Sequence, residues 1–177
     1  MLPRRLFSDV SLPPYAFVPG RWPHPVSDPK GHSFGKTLEL PRDFDPERWR
    51  CCAPYLQGID LFNHGYYWEA HEAWESLWHV SQETEVTGDF LKGLIKLAAA
   101  GVKAREGQEP GVRSHATRAA ELFGQVAARL APRPPRWMGL DLTELAAHAS
   151  NTANQPPDSL TTETPVVVVF DFELLPW

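Results

Sequence analysis

The sequence predicts an all-α fold: a single helical bundle of four to five helices, with an irregular Pro-rich N-terminal arm and a short C-terminal strand. Three observations lead there. The 18 prolines of the 177 residues crowd the two ends and leave the middle nearly free. The middle repeats apolar residues at helical spacing. One β-branched run, Val166-Val167-Val168-Val169-Phe170, reads as a strand bounded by Pro165. These set an arm over 1–50, a bundle over 51–150, and a linker with the strand over 151–177. A chain of this length buries roughly 70% of its unfolded surface, enough for a real core.

The arm is broken by Pro13-Pro14, Pro19-Gly20 and Pro23-His24-Pro25. It also carries Phe7, Tyr15, Phe17, Trp22 and Phe34. Disordered tails are poor in aromatics, so the arm is expected to be ordered and laid over the bundle. His24, Asp28 and His32 recur every fourth residue, but the prolines forbid a helix there. Surface histidines are the plain reading, and convergence in a loop is the sharper one.

The first helix starts near Pro54, turns Tyr55, Ile59 and Phe62 inward, and stops at Gly65. The central helix covers 66–80. Tyr67, Ala70, His71, Trp74, Leu77 and Trp78 share one face, with Trp74 and Trp78 expected in the core. Glu69, Glu72 and Ser76 fall toward water. A polar loop follows over 81–88, and Asp89 caps a third helix over 89–106. That helix has an apolar face from Phe90 to Val102 and small residues at 98–101. Lys92, Lys96 and Lys103 lie on another face. The fourth helix, 111–130, carries His115 on its apolar stripe. Three prolines at 132, 134 and 135 end it, and Asp141 caps a fifth helix through Ala149. The strand at 166–170 needs a partner, because an unpaired edge is unstable. The candidates are the arm at 37–40 and a second subunit.

Several function classes fall away. A net charge of −5 argues against a nucleic-acid partner. No apolar run approaches a membrane span, and the first residues lack a secretory pattern. Cys51 and Cys52 are adjacent, which makes a structural disulfide improbable and suits a reduced, cytoplasmic protein. There is no phosphate loop, Cys-based zinc pattern or nucleophile elbow.

Function, if chemical, belongs to the central helix. His71 points into the apolar stripe and Glu75 lies one turn on. One reading is a core histidine with Glu75 as hydrogen-bond partner. The other is a divalent metal held by His71 and Glu75, helped by His64, His24 or His32. Glu72 or Glu69 would then be the base of a metal-assisted hydrolase, although the helical wheel turns both away from His71. Trp68 and Lys96 are candidate binding residues, and the strand is a candidate surface for a homo-oligomer. The residues favour a binding or structural module, with the hydrolase as alternative.

The stretch Leu61-Phe62-Asn63-His64-Gly65-Tyr66-Tyr67-Trp68-Glu69-Ala70-His71-Glu72-Ala73-Trp74-Glu75-Ser76-Leu77-Trp78 resembles the signature of the family called domain of unknown function 309. So does Phe90-Leu91-Lys92-Gly93-Leu94-Ile95-Lys96-Leu97-Ala98-Ala99-Ala100, at the expected distance. The resemblance covers roughly 53–130 and implies a small all-α bundle with no established reaction. Its motif positions fall on Glu69, His71, Glu72 and Glu75, with no roles attached. The family's usual residue at the Lys96 position is glutamine, so lysine changes any polar network there. The arm around 18–25 and 31–33 is similar to that of longer members.

Overall fold

The computed structural model describes residues 4–36, 44–81, 85–158 and 163–177. Five α-helices follow in order: α1 (Ala53–Asn63), α2 (Tyr67–Val80), α3 (Glu85–Glu106), α4 (Glu109–Leu130) and α5 (Leu142–Asn154). A 3-10 helix, Pro46–Cys51, leads into them, capped by the Asp45 side chain on the Glu47 N–H. Each α-helix packs on the next, so the bundle is a sequential up-and-down stack. The all-α expectation holds.

Burial explains the stacking. Trp74, Tyr55, Tyr67, Phe62, Phe90 and Phe123 are all under 2% exposed. Close helix approach comes from missing side chains. A Cβ on Gly93 of α3 would lie 2.6 Å from the Phe123 ring of α4, and one on Gly101 would lie 2.5 Å from the Tyr67 ring of α2. Trp78 differs from expectation. It is only partly buried at the core's edge, with the Lys92 ammonium 5.8 Å from its ring centroid. The third helix also begins earlier, so Asp89 is no cap. It lies inside α3 and accepts a hydrogen bond from Arg129 of α4 at 2.5 Å. Asp141 does cap α5, accepting from the N–H groups of Thr143 and Glu144.

The small sheet lies elsewhere than 166–170. Two-residue strands, β1 (Arg136–Trp137) and β2 (Leu140–Asp141), pair antiparallel. The hairpin loop between them holds Met138 at φ 47° and Gly139 at φ 82°. Left-handed residues at both loop positions match the right-handed twist of a hairpin. The Met138 carbonyl accepts the buried Tyr55 hydroxyl at 2.8 Å, which ties the hairpin to α1.

Residues 165–177 form an extended tail without a ladder. Side chains of the bundle do the work expected of a partner strand. Asn63 donates to the Leu174 carbonyl at 2.9 Å and accepts the Leu174 N–H at 2.8 Å. The Tyr67 hydroxyl accepts the Val169 N–H at 2.9 Å. Phe170 stacks on Phe62, with ring centroids 5.3 Å apart. The arm meets the tail through the Ala16 N–H on the Pro165 carbonyl at 3.0 Å and through Arg50 on the Trp177 carbonyl at 2.5 Å. The expected pairing with 37–40 lies outside the described residues. These bonds hold Pro165, Val169 and Leu174 within the chain.

The arm is held by acids of the bundle. Asp60, 1% exposed, accepts the N–H groups of Leu6 and Phe7 at 2.7 and 2.8 Å, with Arg5 3.6 Å away. Tyr15, Ala16, Phe17 and Val18 are buried against the body. No helix among the described residues is long and apolar enough to cross a membrane.

Candidate functional site

The central helix α2 follows α1 after a tight reversal at Gly65, whose φ is 87°. A Cβ there would lie 2.6 Å from the Val167 carbonyl oxygen of the tail, so only glycine fits. His64 is buried beside it, its Nδ1 donating to the Asp60 carbonyl at 2.7 Å. That bond uses His64 at the end of α1 and does not bring it to His71.

The inner face of α2 is Tyr67, Ala70, Trp74 and Leu77, all 2% exposed or less. The chemistry lies on the two flanks. On one flank are His71, Glu72 and Glu75, all half-buried. His71 is therefore not within the apolar stripe, and Glu72 does not project away from it. The His71 Nδ1 lies 3.4 Å from a Glu72 carboxylate oxygen. It is sealed from solvent and makes no hydrogen bond. One ligand atom from each of the three residues fits in a cluster no wider than 4.8 Å. Two donors on one cation, each about 2.1 Å from it, are at most about 4.2 Å apart. Small side-chain rotations bring the three within that span.

The cluster has cationic neighbours. His115 of α4 is half-buried, and its pKa is lowered by burial first and then by the charges of Lys96, Lys103 and His71. Lys96 and His71 therefore both act on one imidazole. That proximity was invisible in the sequence, where His115 only marked an apolar stripe.

The other flank carries Glu69, expected in water but 7% exposed. Its Oε1 accepts the Phe17 N–H at 2.9 Å and bonds His32 Nε2 at 3.0 Å. The His32 Nδ1 lies 2.9 Å from the Ser33 hydroxyl. Burial chiefly, and Glu69 next, raise the pKa of Tyr66. His24 packs edge-on against Trp68 and Phe17, at 5.3 and 5.1 Å between centroids. Its Nδ1 takes the N–H groups of Val26 and Ser27. His24, His32, Trp68 and Glu69 thus assemble into an arm clamp, apart from the His71 cluster. The aromatic content of the arm signalled such a contact, but nothing in the sequence named Glu69 as its anchor.

Two solvent-facing grooves, of about 650 and 530 Å³, lie elsewhere. One runs between α5 and the tail, the other by β1 and the 3-10 helix. Neither is lined by a residue of α2.

No curated protein matches the sequence. Residues 55–115, from α1 into α4, match the model of the family described as domain of unknown function (DUF309).

Proposed function

We propose that the protein is a binding module whose ligand is a divalent transition-metal ion, held by His71, Glu72 and Glu75 on one flank of α2. The observation that supports this is the sealed His71 Nδ1 without a hydrogen-bond partner, next to two carboxylates inside a 4.8 Å cluster. A purely structural histidine would have that nitrogen satisfied. One imidazole and two carboxylates suit zinc or manganese. Lys96 opposes any cation nearby, so its charge sets a ceiling on affinity.

The metal-assisted hydrolase follows from one further feature. Three protein donors leave a coordination position for water. Neither base first considered is free for it, since Glu72 is a ligand and Glu69 is engaged with the arm. His115, kept neutral to lower pH than an ordinary histidine, is the remaining base. Two adjacent free thiols, Cys51 and Cys52, suit a reducing, cytoplasmic setting.

Calorimetric titration of metal-stripped protein with zinc and with manganese tests the binding reading. Binding at about micromolar or tighter is expected, lost in both His71→Ala and Glu75→Gln. No heat in the native protein, or full binding in either variant, refutes it.

A further inference from the structure

The groove of about 650 Å³ between α5 and the tail is walled by His148, Asn151, Asn154 and Gln155 at the helix end and by 169–172 of the tail. Its size falls in the roughly 300–1,000 Å³ range of ligand sites. The aromatic part of the lining is continuous. Phe172 stacks on His148 at 4.1 Å between centroids and on Phe170 at 5.2 Å.

The polar part of the lining is unengaged. Asn151, Asn154 and Gln155 are exposed, and their carboxamides make no hydrogen bond among the described residues. The tail is fixed at Val169 by the Tyr67 hydroxyl and at Leu174 by Asn63. Between those points, the N–H and C=O groups of Asp171, Phe172 and Glu173 make no hydrogen bond among the described residues. Extended backbone with free N–H and C=O groups is a template for another strand. A carboxamide can secure extended backbone from the side, as Asn63 does on both groups of Leu174.

Charge selects the occupant. Over 148–158 and 163–177 the chain has Asp158, Glu163, Asp171 and Glu173 and no lysine or arginine. Arg113, at the end of α5, is bound to Glu109 and to the carbonyls of Ala153 and Asn154. Asp171 lines the groove, is exposed and has no ion pair among the described residues. The tail of a second copy brings the same acids, and like charges on paired strands are destabilising.

We propose that the groove between α5 and the tail binds an extended basic peptide, added as a strand beside 171–173 with a lysine or arginine on Asp171. Main-chain bonds hold the peptide, and its alternate side chains reach the His148–Phe172 stack and the Asp171 carboxylate.

Fluorescence anisotropy of a labelled hexapeptide alternating valine and lysine tests the site. Two further probes separate its parts: the same peptide with glutamate for lysine, and the lysine peptide with every amide N-methylated. The lysine peptide is expected to bind at least about tenfold tighter than either. Asp171→Lys should weaken its binding at least about tenfold, and so should Asn151→Arg, both at exposed positions. Glu47→Lys, exposed in the other groove, makes the same change of net charge as Asp171→Lys and should leave binding unchanged. No binding of the lysine peptide overturns the proposal, as does an equal loss in Glu47→Lys, which marks attraction to net charge alone. Equal binding of the glutamate peptide or of the N-methylated peptide overturns it too. Sedimentation of the native chain tests self-pairing: a dimer disrupted by Asn151→Arg puts a second copy in the groove and overturns the peptide assignment.

Discussion

Asn63→Ala tests how the tail is held. Asn63 is 5% exposed and Leu174 2%. The carboxamide meets both backbone groups of Leu174, at 2.9 and 2.8 Å, in the manner of one rung of a sheet. Removing it strands a buried N–H and a buried C=O. Each costs about 1–3 kcal/mol, so the ceiling is about 2–6 kcal/mol. The tail can instead lift off, exposing Leu174, Phe170 and Val169, each worth about 1.5–3 kcal/mol of burial. Lift-off would cost about 4.5–9 kcal/mol, so the stranding route is the smaller and sets the loss at about 2–6 kcal/mol. For a chain of this size that lowers the melting temperature by about 4–24 °C. The assay is thermal and urea unfolding of wild type, Asn63→Ala, a truncation after Thr164, and both changes together. If Asn63 acts through the tail, its cost should shrink to under about 0.5 kcal/mol in the truncated chain. A loss below about 0.5 kcal/mol in the full chain, or one undiminished by truncation, refutes the reasoning.

Gly93→Ala and Gly124→Ala should move stability in opposite directions. The first drives a Cβ into the buried Phe123 ring and should cost about 1–2 kcal/mol, while the second meets open space and should gain up to about 1 kcal/mol, both read by urea unfolding. His115 should make stability depend on pH in metal-free protein. Its folded pKa lies below the usual 6.5, so the unfolded chain takes up the proton first. The stability present above about pH 6.5 is then lost as pH falls toward the folded value. His115→Asn should flatten that slope in melting temperatures between pH 5 and 8, and an unchanged slope rejects the assignment. Lys96→Gln, which removes a charge acting on the same imidazole, should raise the His115 pKa in NMR titration and tighten zinc or manganese binding.

The helices were legible because their burial is periodic. Tyr67, Ala70, Trp74 and Leu77 recur at three- and four-residue intervals, and their face of α2 is the one buried. The cap at Asp141 was legible because a side-chain oxygen before a helix is a local device. The early start of α3 was not, since Glu85 carries no apolar signal and Asp89 mimics a cap. The tail was misread for a physical reason. A β-branched run signals extended backbone, but it does not say whether ladder bonds or side chains will satisfy that backbone. Here Asn63 takes both backbone groups of Leu174 and Tyr67 the Val169 N–H, from positions 111 and 102 residues away.

The candidate site was half legible, and the wheel of α2 shows why. With about 100° per residue, the centre of Tyr67, Ala70, Trp74 and Leu77 lies about 80° from His71. A stripe counted generously takes His71 inside, yet that angle puts it on the shoulder, where Glu75 and Glu72 follow in the same rotational sense. Glu75 lies about 120° and Glu72 about 180° from that centre, so side-chain reach completes the cluster, the Glu72 carboxylate coming back to 3.4 Å from the His71 Nδ1. Glu69, on the far side from the core, should be wet by the same geometry. It is buried because a second layer, the arm, lies over that side and offers it the Phe17 N–H and His32. Helical periodicity reports the first layer of packing only. A carboxylate on the outer face of α2 is solvated or clamped according to what covers it, and that depends on residues 37 and 52 positions away in the chain.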